Sequence, residues 1–80
     1  MNLQTAPIYE IANYIRQNWK KVSPYAEPYL EAMESLNSIN DNYYLDSGSS
    51  VVLYFLSNSA GWRGDVAREV KAELRSRLGM

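Results

Sequence analysis

Chemistry in this chain of 80 residues has to be done by carboxylates, phenols, amines or serine hydroxyls, because it contains neither cysteine nor histidine. Without those side chains a single chain cannot assemble a zinc site of ordinary type, a disulfide, a thiolate nucleophile or a Ser-His or Cys-His pair. An enzyme would have to be built from Glu10, Asp41 or Asp46 with a tyrosine, and nothing in the spacing fixes those groups in one pocket. The stretch Asn40 to Gly48 has acids and a glycine but lacks the ligand order and closing glutamate of a calcium loop. No metal and no cofactor are expected, and the chain reads as a binding protein rather than an enzyme.

The charges that could bind a partner are unevenly spread. Residues 1–21 carry +2, residues 22–62 carry −5 with no lysine or arginine, and residues 63–80 carry +2, within a formal net charge of −1. The acids of the middle segment are Glu27, Glu31, Glu34, Asp41 and Asp46, and five of the seven tyrosines lie there too: Tyr25, Tyr29, Tyr43, Tyr44 and Tyr54. Exposed phenols among carboxylates suit a protein interface, because tyrosine gives large contact area at low entropic cost and the acids steer a basic partner. The expected docking surface is therefore Glu27, Glu31, Glu34, Asp41, Tyr43, Tyr44 and Asp46. The plainer alternative is a solvated helix face with tyrosines closing the rim of a small core.

A second candidate is the basic side of the C-terminal segment, where Arg63, Arg68, Lys71 and Arg75 could touch phosphates of a nucleic acid. Asp65, Glu69 and Glu73 stand three or four residues from these bases and can pair with them, which weakens any field toward a phosphate backbone. Arg63, beside Trp62, is expected to stack on the indole or to bond the turn. A third possibility is an oligomer whose tyrosines stack on a nucleotide base across a subunit boundary.

The elements that must position these groups read as helices. Trp62, Val66, Val70, Leu74 and Leu78, with Ala67 beside them, place one apolar face on a helix from about Ala60 to Leu78. Ser59 would cap it, Gly61 and Gly64 could delay its start to Asp65, and Gly79 would end it. Ile8, Ile11, Ala12, Ile15 and Trp19 predict a first helix, with Thr5 as cap, Pro7 in its first turn and Ser23-Pro24 as its stop. A second helix is expected from Pro28 to about Ser38, capped by Glu27, and a loop follows in which Tyr43, Tyr44 and Leu45 fold back on the core. Val51 to Leu56, VVLYFL, has strand propensity, but no other segment alternates as a partner strand would. A helix from about Ser49 to Asn58 is the reading that satisfies its backbone. The expectation is an all-α fold, one domain over residues 1–80 made of about four helices around one core.

At this length a chain buries only roughly 60–65 % of the surface it exposes when unfolded, so a homo-oligomer or partner would help. The apolar run is far short of the ~20 residues that span a bilayer, and Met1 to Gln4 lacks the features of a signal peptide, so no membrane association is expected.

The stretch YFLSNSAGWRGDVAREVKAELRSRL (Tyr54 to Leu78) and the pieces IANYIRQNWKKV, PYLEAM and LNSINDNY resemble a group of small uncharacterised accessory proteins encoded by bacteriophages and prophages. The most specific elements are Tyr54-Phe55-Leu56, Asn58 and Trp62-Arg63-Gly64. The resemblance implies a host-cell cytoplasmic setting and a role in countering or tuning a host system. It supplies no catalytic residues. The expected function is a non-enzymatic inhibitor that binds a host protein complex of a defence system, in the manner of an anti-CRISPR protein. The alternative is a small nucleic-acid-binding or regulatory protein.

Overall fold

Spacing along the C-terminal segment sets the architecture, and a computed structural model describing residues 1–80 shows what packs against it. In chain order the elements are α1 (Ile8–Asn18), α2 (Glu27–Met33), β1 (Asn42–Tyr43), β2 (Asp46–Ser47), α3 (Gly48–Ser57) and α4 (Asp65–Arg77). The strands form one small antiparallel hairpin, with Asn42 opposite Ser47 and Tyr43 opposite Asp46. The molecule is thus mostly helical but not strictly all-α. α2 packs on α3, α1 on both α2 and α4, and α4 closes against α3.

One core holds the helices together. Ile8, Ile11 and Ile15 of α1, Leu30 and Met33 of α2, Val52 and Phe55 of α3 and Val70 and Leu74 of α4 are fully buried in it. Trp19, just past α1, stacks on Trp62 with ring centres 5.8 Å apart and planes 9° apart, and it meets Phe55 edge-on at 6.3 Å. These two contacts join the end of α1 to the corner between α3 and α4.

Several boundaries differ from the sequence reading; Glu27, for one, is the first residue of α2 and not its cap, that place being held by Ala26 in helical geometry. α1 starts at Ile8 with Pro7 before it, and Thr5 is not its cap; the hydroxyl of Thr5 donates to the Asn2 carbonyl instead. The first amides of α1, those of Ile8 and Tyr9, donate to the carbonyls of Asn37 and Leu36 at 3.0 and 2.8 Å. That capping from a distant segment also explains why α2 stops at Met33 rather than near Ser38: the chain leaves the helix to bring those carbonyls over. α1 itself ends at Asn18, where Trp19 leaves helical geometry, well before Ser23-Pro24. α4 takes the later of the two starts the sequence left open, at Asp65 behind Gly64, whose φ of 109° is open to glycine, and Ser59 is not its cap but is buried with its hydroxyl donating to the Leu56 carbonyl. VVLYFL is helical, capped by the Ser47 side chain, which accepts from the Ser50 amide at 3.1 Å.

Candidate interaction surface

The acidic segment does not stay unpaired once folded. Glu27, the first residue of α2, and Glu34, just past its last, lie two turns apart on one side, and the Arg16 guanidinium of α1 reaches in between them. It meets Glu27 through Nη2 at 2.6 Å and Nη1 at 3.1 Å, and Glu34 through Nε and Nη2, both at 3.1 Å. Hydrogen bonds from Arg16 hold the Glu27 carboxyl below the usual carboxylate range, and the two acids raise Arg16 above its ordinary value. Asp41 has a structural task, accepting the amides of Asn37 and Ser38 at 2.8 and 3.0 Å to close the turn after α2. Only Glu31 and Asp46 of the five acids remain exposed without a partner. Tyr29, moreover, leans to the other flank of α2, its ring 5.6 Å from that of Tyr54 on α3. The seven residues expected to share one surface are divided between the α1 seam (Glu27, Glu34), the open side of α2 (Glu31), a turn (Asp41) and the hairpin (Tyr43, Tyr44, Asp46).

The basic candidates are divided as well. Arg68 is paired with Asp65 on the same helix. Lys71 is turned inward, its ammonium donating to the carbonyls of Ser59 at 2.7 Å and Trp62 at 2.6 Å and lying 5.9 Å from the Trp62 ring centre. Burial lowers its pKa, helped by the nearby charges of Arg75 and Arg63. Lys71 thus occupies the place over the indole that the sequence suggested for Arg63. Arg63 and Arg75 are exposed.

The hairpin concentrates what is left. Tyr44 and Leu45 form its two-residue turn, and instead of folding back on the core they are 87 % and 102 % exposed. Tyr43 packs partly on the core and meets the Tyr44 ring edge-on at 4.7 Å. Tyr44 has φ 55°, the left-handed region, at a turn position that glycine normally fills. The hairpin is held firmly at its base. The Gly48 amide donates to the Asp41 carbonyl at 2.6 Å, and Ser49 Oγ donates to the Ile39 carbonyl at 3.2 Å. A Cβ on Gly48 would lie 2.9 Å from the carbonyl oxygens of Ser38, Ile39 and Asp41, so the chain wraps this residue as closely as glycine allows.

Leu45, and Leu53 on the outer side of α3, were not singled out by the sequence as exposed contact residues, and Tyr54 beside Leu53 was named among the tyrosines of the middle segment but left out of the expected docking surface. For α3 a signal existed, since Gly48–Ser57 contains no charge that would mark a solvated face. For Leu45 none did, because the turn lacks the Asn-Gly or Asp-Gly pair that announces a hairpin. Fold and surface together define a small, four-helix protein with an exposed aromatic hairpin tied down at its base. No protein family, curated protein or solved structure matches the chain. No helix is long and apolar enough to cross a membrane.

Proposed function

We propose that this protein is a non-enzymatic binding protein that presents the Tyr44–Leu45 tip to a partner protein. The observation that carries this reading is the conformation and exposure of Tyr44. A non-glycine residue in the left-handed region costs about 1–2 kcal/mol, and this side chain gains no burial in the core to offset it. Neither turn chemistry nor packing calls for tyrosine there, while an exposed aromatic on a firm base is a common anchor of protein interfaces. Asp46 beside the tip, exposed and unpaired, would favour a basic partner. Following the resemblance to phage accessory proteins, the partner is a host protein complex, and inhibition of a defence system is the role that fits it.

The test compares immobilised wild-type protein with Tyr44→Gly in a host lysate, with bound protein and nucleic acid both analysed. Wild type should retain a protein complex that the glycine variant, equally folded, releases. Equal retention by both sinks the hairpin reading. Capture of nucleic acid alone, lost on raising salt, would replace it with one centred on Arg63 and Arg75.

A further inference from the structure

We propose that the end of the bundle opposite the hairpin binds single-stranded nucleic acid, with Lys20, Lys21 and Arg63 on the phosphates and Tyr25 and Tyr54 against the bases. The path of the chain brings these residues together. Asn37 and Leu36, past α2, accept the first amides of α1, and Arg77 of α4 reaches the carbonyls of Leu3 and Ala6, so α1 begins where α2 and α4 end. α3 and the hairpin belong to that same end, because the Gly48 amide donates to Asp41 in the turn after α2. The four helices therefore alternate in direction, and the opposite end gathers the close of α1 and α3 with the start of α2 and α4. Two aromatic contacts fasten it: Trp19 on Trp62, and Tyr29 beside Tyr54.

Charge separates along this axis. Lys20 and Lys21 follow Trp19, Arg63 follows Trp62, and all three are exposed and outside every ion pair. Lys71, held on the carbonyls of Ser59 and Trp62, adds its charge beneath them. The carboxylates nearest this end are taken, Glu27 by Arg16, which also holds Glu34, and Asp65 by Arg68. Of the unpaired acids, Glu10 in the first turn of α1 and Asp46 in the hairpin stand at the hairpin end. Glu31 lies a turn into α2, and Glu69 faces the N-terminal residues, lining a groove with Leu3 and Gln4. A formal net charge of −1 thus conceals one cationic end.

The aromatics among those cations suit bases. The Ser23 carbonyl accepts the amides of Ala26 and Glu27, both at 3.0 Å, so a helical turn leads into α2. Tyr25 then stands one turn before Tyr29, on the flank where Tyr54 lies. Tyr25 is 75 % and Tyr54 50 % exposed, whereas Trp19 and Trp62 are buried against each other. Free rings beside cations that track a backbone are how single strands are held without reading their sequence. A duplex hides its base faces and would gain nothing from the tyrosines. The Tyr44 tip is at the other end of the molecule, so this proposal and the hairpin reading can fail separately.

Fluorescence anisotropy of the intact chain with a labelled oligothymidine of about 12 nucleotides tests the site. Wild type should bind at low salt, and three phosphate contacts on a single strand should weaken it roughly 20-fold between about 50 and 200 mM salt. A duplex of the same length should bind less tightly. The pair Lys20→Glu with Lys21→Glu, and separately Arg63→Glu, should abolish binding with unchanged helical circular dichroism. Tyr25→Ser should weaken it at least about fivefold. Tyr25→Phe, which keeps the ring, and Tyr44→Gly, at the hairpin end, should bind like wild type. A flat wild-type titration, a duplex held as tightly as the single strand, or indifference to Tyr25→Ser overturns the proposal. Binding that survives the lysine pair but is lost in Arg75→Glu belongs to the flank of α4 and overturns it too.

Discussion

Two residues of one short segment respond to substitution against what the size of the change suggests. Alanine is a better helix former than glycine, so Gly48→Ala at the start of α3 would stabilise an unobstructed helix. Here the added Cβ meets three backbone carbonyls at 2.9 Å, none of which can swing aside as a side chain would. We expect a loss of about 1–3 kcal/mol, read as a lower urea midpoint with an unchanged slope. An unshifted midpoint would mean the loop around Gly48 is slacker than described. Tyr44→Gly removes a large aromatic and still should leave stability within about 1 kcal/mol of wild type. Relief of the left-handed backbone offsets the entropy of glycine and the lost edge contact with Tyr43. A melting temperature many degrees lower would show that Tyr44 serves the fold, and the argument for a partner would lose its footing.

Between elements, the ion-paired seam of α1 and α2 gives the fold a dependence on acidity. The Glu27 carboxyl titrates lower in the folded chain than in the unfolded one, so the unfolded state takes up protons first as pH falls. Its contribution is present above the ordinary carboxylate range and is lost as pH drops through the depressed folded value. Arg16→Ala should cost roughly 1 kcal/mol at neutral pH, since the network is only partly shielded from water. It should also flatten the fall of melting temperature below roughly pH 4. Identical acid limbs for the two proteins would rule the seam out as the source. Elements differ in how far the sequence announces them. α1 and α4 are legible because Ile8, Ile11 and Ile15, and Val66, Val70 and Leu74, repeat at helical spacing. VVLYFL is legible as a helix only by the lack of any strand to pair with. The end of α2 is not legible, because it depends on Leu36 and Asn37 accepting from helix amides 27 and 29 positions earlier in the chain. Pairing hid the site in the same way: an acidic run in the sequence says nothing about Arg16 folding across it, and turn formers flank Tyr44-Leu45 on both sides while the pair itself lacks the glycine or asparagine of a hairpin turn.

For the molecule as a whole, the contact that spans the chain is Arg77. Its guanidinium donates to the carbonyls of Ala6 and Leu3, both at 2.6 Å, and to Glu73 at 2.8 Å, tying the N-terminal residues to the last helix. Arg77→Ala should cost about 2 kcal/mol, a sizeable part of the roughly 5–15 kcal/mol that holds a domain folded. Hydrogen exchange at the Thr5 and Ala6 amides should accelerate, while the amides of Leu30 and Phe55 keep more of their protection. A uniform loss across all four would show that the clamp is inseparable from global unfolding. Closure of the whole can also be followed without any added label. The chain's two tryptophans, Trp19 and Trp62, are the pair whose rings lie nearly parallel 5.8 Å apart. Indoles held so close in a fixed setting should give the native protein a near-ultraviolet circular dichroism that fades when the two segments part, and each variant above can be scored on that band for native assembly as well as helix content.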